Sequence, residues 1–98
     1  WPVTSYLPLA ALGVPTHRQT PDGKSEPWSP EETITIEESL TFYTAGVAYQ
    51  TFNEDRFGGI EVGMAADLVH LSTNPLLLDP LQIPEIVVVA TYKAGRQQ

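Results

Sequence analysis

Cysteine is absent from the 98 residues, which excludes a disulfide framework and thiolate metal sites. Basic residues are few: five Lys and Arg stand against twelve Asp and Glu, a net charge of -7. A surface of that sign repels phosphate backbones and anionic lipid headgroups, so neither nucleic acid nor a membrane is an expected partner. Long apolar runs are lacking too. The longest, Ile86 to Ala90, has five residues, where a membrane-spanning helix takes about 20. No apolar leader core is present either, and the expected location is cytoplasmic. Methionine occurs once, at Met64, and the sequence opens on Trp1. The expectation is a processed product or a piece of a longer chain.

What is present reads as globular, with 42% hydrophobic and 17% charged residues. The length suits one modest core and excludes a self-contained enzyme barrel, which takes about 250 residues. Six of the nine prolines (Pro2, Pro8, Pro15, Pro21, Pro27, Pro30) fall in the first thirty residues. Each fixes φ, removes a donor and restricts its predecessor. Residues 1–30 are therefore expected to hold no regular helix or central strand, only a short helical turn after Pro8. Trp1, Tyr6, Leu7, Leu9, Leu12, Val14 and Trp28 make this segment too apolar for a solvated linker. It reads as a long ordered loop lying on another surface.

Between Glu31 and Asn74 there is no proline. Thr35 and Glu38 have capping-box spacing, and Ile36, Leu40, Tyr43 and Val47 form an apolar stripe at helical period. A helix is expected, divided at Gly46 and stopped by Asn53 to Arg56 and Gly58-Gly59. Ile60 to Val62 and Ala66 to Leu71 alternate like strands. A proline-bounded loop runs from Ser72 to Pro84. Ile86 to Tyr92 has the β-branched character of a strand buried on both faces, and Lys93 to Arg96 reads as a hairpin turn returning near Gln97.

No complete catalytic constellation emerges. The two histidines, His17 and His70, lie far apart. His70 in an apolar strand pattern reads as a solvent-facing or hydrogen-bonded residue, since a metal needs three or four convergent ligands. His17-Arg18 in the proline-rich loop suits carboxylate binding, with a structural salt bridge as the ordinary alternative. Asp67 reads as an acceptor for turn amides around Gly63. Gly58-Gly59 lacks phosphate-loop spacing, and no serine has nucleophile-elbow context.

The stretch Glu38 to Ala48, then Gly59 to Val69, resembles the C-terminal region of metal-dependent amidohydrolases. In that family a helix of the form eeAL…T…A precedes GsLe-GK-ADLvvL, and the chain closes on a Thr and a Gly, matched by Thr91 and Gly95. The pattern around Tyr43 to Ala48, with Asn74-Pro75 downstream, is similar to the amidohydrolase-3 branch, which includes N-substituted formamide deformylase-like enzymes. Met64 stands where the family usually has Lys, and His70 where it usually has Val. Trp1-Pro2-Val3 resembles the residues just after a catalytic Asp at the end of the family's last barrel strand. That resemblance puts the Asp immediately before Trp1.

The resemblance implies an α+β fold class: the C-terminal piece of a TIM-barrel amidohydrolase, with the last barrel loop and helix, plus strands of a small composite β-sandwich. Residues 1–57 would end the barrel and 58–98 would supply sandwich strands. It implies a hydrolase of non-peptide, amide-type C–N bonds whose divalent metal, zinc by preference, is held upstream. No metal ligand or cofactor falls in this chain, which would not be catalytic alone. Trp1, Tyr6 or Arg18 would line the substrate pocket. The partners are the rest of the parent chain and a small amide-type substrate, and unpaired strand edges favour association into homo-oligomers. The competing expectation is an independent small α+β binding or scaffolding domain.

Overall fold

Proline starts the first helix rather than preventing it. The computed structural model describes residues 5–98, and α1 runs from Pro8 to His17 with Pro8 in the first turn. The expectation of a single helical turn is thus corrected. A proline at the first helical position loses a donor that has no intrahelical acceptor anyway. Pro15 sits in the last turn, where its missing N–H removes one bond near a terminus. Arg18 closes α1 in the left-handed region (φ 56), its amide donating to the Val14 carbonyl at 2.7 Å.

The chain forms two compact units: one up to Leu40 with Thr73–Ile86, the other Thr41–Ser72 with Val87–Gln98. In the first, α1 packs against a 3-10 helix, Pro80–Glu85. A Cβ on Gly13 would lie 2.7 Å from the Pro80 carbonyl oxygen, so glycine sets how closely the two approach. Leu12, Ile83 and Ile86 are buried here. The expected loop at 72–84 carries local order: Asp79 accepts from the Leu81 amide (2.9 Å), and the Asp79 amide donates to Gln82 (3.3 Å), which caps Pro80–Glu85. Asn74 caps a shorter 3-10 turn, Pro75–Leu77, in the same way (3.0 Å).

The capping box at Thr35 forms. Its amide donates to the Glu38 carboxylate at 2.8 Å, and the Glu38 amide donates to its hydroxyl at 3.1 Å. Helix α2, Ile36–Thr41, comes next. Ser39 on α2 is buried, its hydroxyl donating to the Leu12 carbonyl at 2.7 Å.

In the second unit the helical path does not break at Gly46. Phe42–Gly46 make a π-helical turn and α3, Val47–Gln50, continues from it. A π turn carries an extra residue, so the inward position passes to Ala48, which is buried. Tyr43 (46% exposed) and Val47 (49%) face outward instead. The stripe read from the sequence is thereby corrected. Phe52, at φ 57, lies just past the end of α3. Gly58 then lies against α3 at φ 89, where a Cβ would stand 2.9 Å from Ala45 and Ala48.

Three antiparallel strands form a sheet ordered β1 (Leu68–Leu71), β2 (Val88–Lys93), β3 (Arg96–Gln97). Leu68 pairs with Tyr92 and His70 with Ala90; a bulge after His70 then brings Leu71 opposite Val88. The hairpin falls at Ala94-Gly95, both at positive φ (50 and 75), a primed turn that matches strand twist. Ile60 to Val62 is no strand: Gly63 at φ 99 lets the Met64 amide return to the Glu61 carbonyl at 3.2 Å. Nor is β2 buried on both faces. Val87, Val88 and Val89 remain 62%, 48% and 54% exposed, because strand pairing covers an edge and not a face.

Thr35→Ala is expected to cost about 1 kcal/mol in denaturant unfolding. The Thr35 amide, then its hydroxyl, hold the Glu38 carboxyl below its usual range. Its contribution is present above the unfolded carboxylate pKa and lost as pH falls through the folded value. Helical dichroism should fall on acidification over that window, and Glu38→Gln should flatten this component. Gly58→Ala should destabilise more than Gly63→Ala, by about 1–3 kcal/mol. Both sit at positive φ, but nothing lies within 4 Å of a Cβ on Gly63; thermal unfolding of the two variants measures the difference.

Candidate functional site

The strongest polar cluster arises directly from how α1 ends. Because Arg18 is left-handed, the chain turns back and the 19–34 segment folds over itself. The Arg18 Nε donates to the Trp28 carbonyl at 2.8 Å, and the Trp28 amide donates to the Arg18 carbonyl, also at 2.8 Å. Nη2 of the same guanidinium reaches Glu32 Oε2 at 3.4 Å. One arginine therefore pins the loop across ten residues and pairs with a carboxylate beyond it.

Smaller bonds order the interval between. Gln19 Nε2 donates to the Ser25 carbonyl (2.8 Å), and the Thr20 amide to the Ser25 hydroxyl (2.9 Å). Asp22 accepts from the Thr20 hydroxyl at 2.6 Å and from the Lys24 amide at 3.2 Å. Those two bonds, the Thr20 one foremost, lower its carboxyl pKa, and Lys24 Nζ adds an exposed ion pair at 3.4 Å. Ser29, at φ 46, precedes a 3-10 turn, Pro30–Glu32. The Ile34 amide closes the excursion on the Pro15 carbonyl at 3.2 Å.

The residues singled out by sequence are distributed unevenly around this loop. Arg18 is at its base. Trp1 lies outside the described residues, and Tyr6 is exposed before α1. The His17 Nδ1 accepts from the Gln19 amide at 3.1 Å. Partial burial lowers the His17 pKa, with Asp79 opposing more weakly. His70 is exposed on β1. Asp67 serves a turn, though not the one expected: its carboxylate accepts from the Ala94 amide of the hairpin at 2.7 Å. Among the described residues no three His, Cys, Asp or Glu side chains converge to hold a metal. No helix among them is long and apolar enough to cross a membrane.

Sequence reasoning passed over Trp28. This residue is 77% exposed while its backbone is held at both polar atoms. The available signal was the flanking pair Pro27 and Pro30, which confines an aromatic within a stiff segment.

A family model described as the amidohydrolase family matches residues 1–97. The chain belongs to the amidohydrolase family. It corresponds to the family's C-terminal region, in keeping with the 38–48 and 59–69 motifs. Among its relatives, N-substituted formamide deformylase of Arthrobacter pascens is 30% identical over 94 residues, covering 96% of this chain and 17% of that protein. Protein LONG AFTER FAR-RED 3 of Arabidopsis thaliana is 31% identical over 97 residues, 99% of this chain and 16% of that one. Imidazolonepropionase of Kosmotoga olearia is 38% identical over 63 residues, 64% and 16% respectively. The chain thus spans less than a fifth of the curated relatives it matches. No solved structure matches it.

Arg18→Ala removes a charge-assisted bond and the Glu32 pair together. The Trp28 amide is expected to exchange with solvent roughly tenfold faster in that variant, measured by hydrogen exchange with mass or NMR detection.

Proposed function

We propose that this chain is the C-terminal part of a metal-dependent hydrolase acting on non-peptide, amide-type C–N bonds, and that it is not catalytic on its own. The observation that carries the reading is the family match across residues 1–97, in relatives of which the chain covers only 16–17%. The formamide deformylase is named for an amide-type bond, which supports that bond class here.

In this reading residues 1–57 complete the barrel, with the proline-rich segment at its C-terminal mouth where such sites are built. Residues 58–98 supply strands to a composite β-sandwich, whose other strands come from elsewhere in the parent chain. The half-exposed valines of β2 suit that role. Trp1, Tyr6 and Arg18 belong to the segment lining the pocket, and the proton-shuttling Asp immediately precedes Trp1. The described residues offer no donor set that fits zinc, so the metal is assigned to the remainder of the parent. The whole enzyme is taken as cytoplasmic, with a small amide-type substrate, and open strand edges allow homo-oligomers.

The test is the longer chain itself. Its reading frame should carry a His-x-His strand upstream and an Asp before Trp1. The purified enzyme should hydrolyse simple formamides, lose activity on chelation and regain it with zinc. A start codon close upstream, with no hydrolysis, would leave instead a small α+β binding or scaffolding domain.

A further inference from the structure

We propose that His17 is a pH-sensitive latch on the 19–25 segment: protonation of its Nδ1 frees that segment while the Arg18 clamp on Trp28 stays closed. The latch is built from residues 13–25 and 79–81 of this chain and stands apart from the hydrolase reading.

The latch follows from which nitrogen does what. Nδ1 of His17 accepts from the Gln19 amide at 3.1 Å, so the imidazole is neutral and carries its proton on Nε2. Protonation turns Nδ1 into a donor, and two donors cannot share one bond. The Gln19 amide then loses its acceptor. Gln19 is also the residue that holds the far side of the segment, its side chain donating to the Ser25 carbonyl at 2.8 Å and to the Gly23 carbonyl at 3.5 Å.

The contacts close a circuit through a second element. The imidazole lies over Gly13, where a Cβ would stand 3.4 Å from Nε2 and 2.7 Å from the Pro80 carbonyl oxygen. Gly23, at φ 67, lies against the Leu81 side chain, 3.1 Å from a built Cβ. The Leu81 amide in turn donates to Asp79 at 2.9 Å. Asp79 is thus the cap of the 3-10 helix and a carboxylate acting on the imidazole.

Other charges near these elements are already committed or remote. Arg18 is engaged by the Trp28 carbonyl and Glu32, and Asp22 pairs with Lys24 at 3.4 Å. Glu85 is exposed at the opposite end of the 3-10 helix from Asp79. Burial disfavours the imidazolium and outweighs the Asp79 carboxylate, which favours it, so His17 charges below the ordinary histidine range. A cation at the end of α1 also suits the helix dipole. The charged form is therefore reached by mild acid rather than by global unfolding. With the folded value depressed, this contribution to stability is present above the unfolded pKa and lost as pH falls through the folded one.

Hydrogen exchange of the full parent chain, compared at each pH from about 8 to about 5, tests the latch. His17→Asn is the reference, because an Asn oxygen accepts from an amide two residues on and does not titrate. Wild type and reference should match at the upper pH. Below the His17 midpoint the wild-type Gln19 amide should exchange roughly tenfold faster than in the reference, with the Trp28 amide equal in both. Asp79→Asn keeps a capping oxygen and removes the charge, so it should move the midpoint to lower pH. His17→Lys, cationic and without an acceptor, should give the fast Gln19 rate throughout.

Wild-type and His17→Asn profiles that coincide over the whole range overturn the latch. So does a Trp28 amide that accelerates together with Gln19, which would mark general acid loosening. A folded His17→Lys protein with a protected Gln19 amide also overturns it; if that variant fails to fold, the comparison with His17→Asn decides alone. A midpoint unmoved by Asp79→Asn overturns the part given to Asp79.

Discussion

The Ser39 hydroxyl bonded to the Leu12 carbonyl is the contact on which the first unit depends. It is the buried side-chain bond that joins α2 to α1, at 2.7 Å, beside a core of Leu12, Ile83 and Ile86. With so few buried apolar groups among the described residues, leaving the buried Ser39 hydroxyl without its acceptor, at about 1–3 kcal/mol, would be a large fraction of what holds these elements. The bond also has a geometric effect. By fixing α2 against α1 it fixes both ends of the intervening loop, and the Ile34–Pro15 bond tightens the same closure. The Arg18 clamp then has only a closed excursion to organise.

What the sequence disclosed was mostly local chemistry. The Thr35–Glu38 box and the turn at Ala94-Gly95 depend on neighbours within a few residues, and both formed where the residue types place them. Helix α1 was hidden because proline statistics speak of interiors, whereas Pro8 and Pro15 occupy the two ends. The π turn was hidden for a different reason. Gly46 reads as a breaker, but here it keeps right-handed helical dihedrals (φ -63, ψ -43), and the shift of the buried position to Ala48 depends on Gly58, distant in sequence, fitting against α3. Asp67 was understood in kind and misplaced in partner, since its donor comes from a hairpin 27 residues on.

The candidate site divides in the same way. Arg18 was visible as a cation on a stiff loop, with a salt bridge as its ordinary role, and the guanidinium does pair with Glu32. Trp28 was not visible because an aromatic among prolines reads first as something to be buried. Only the contrast between a held backbone and an open side chain distinguishes it. The family motifs, by contrast, lie in residues 38–69 and 91–95, away from that loop. They identify ancestry through residues that lie outside the 18–34 segment.

The clamp has a consequence for how the loop can vary over evolutionary time. Arg18 and Trp28 are stapled to each other, so residues 19–27 form a side ring whose contour does not set the position of the indole. Doubling the length of such a ring adds only about 0.6 kcal/mol of closure entropy. Insertions and deletions can accumulate there as neutral drift, provided the staple survives. The ring is thus a place where length can diverge between relatives while the aromatic keeps its address.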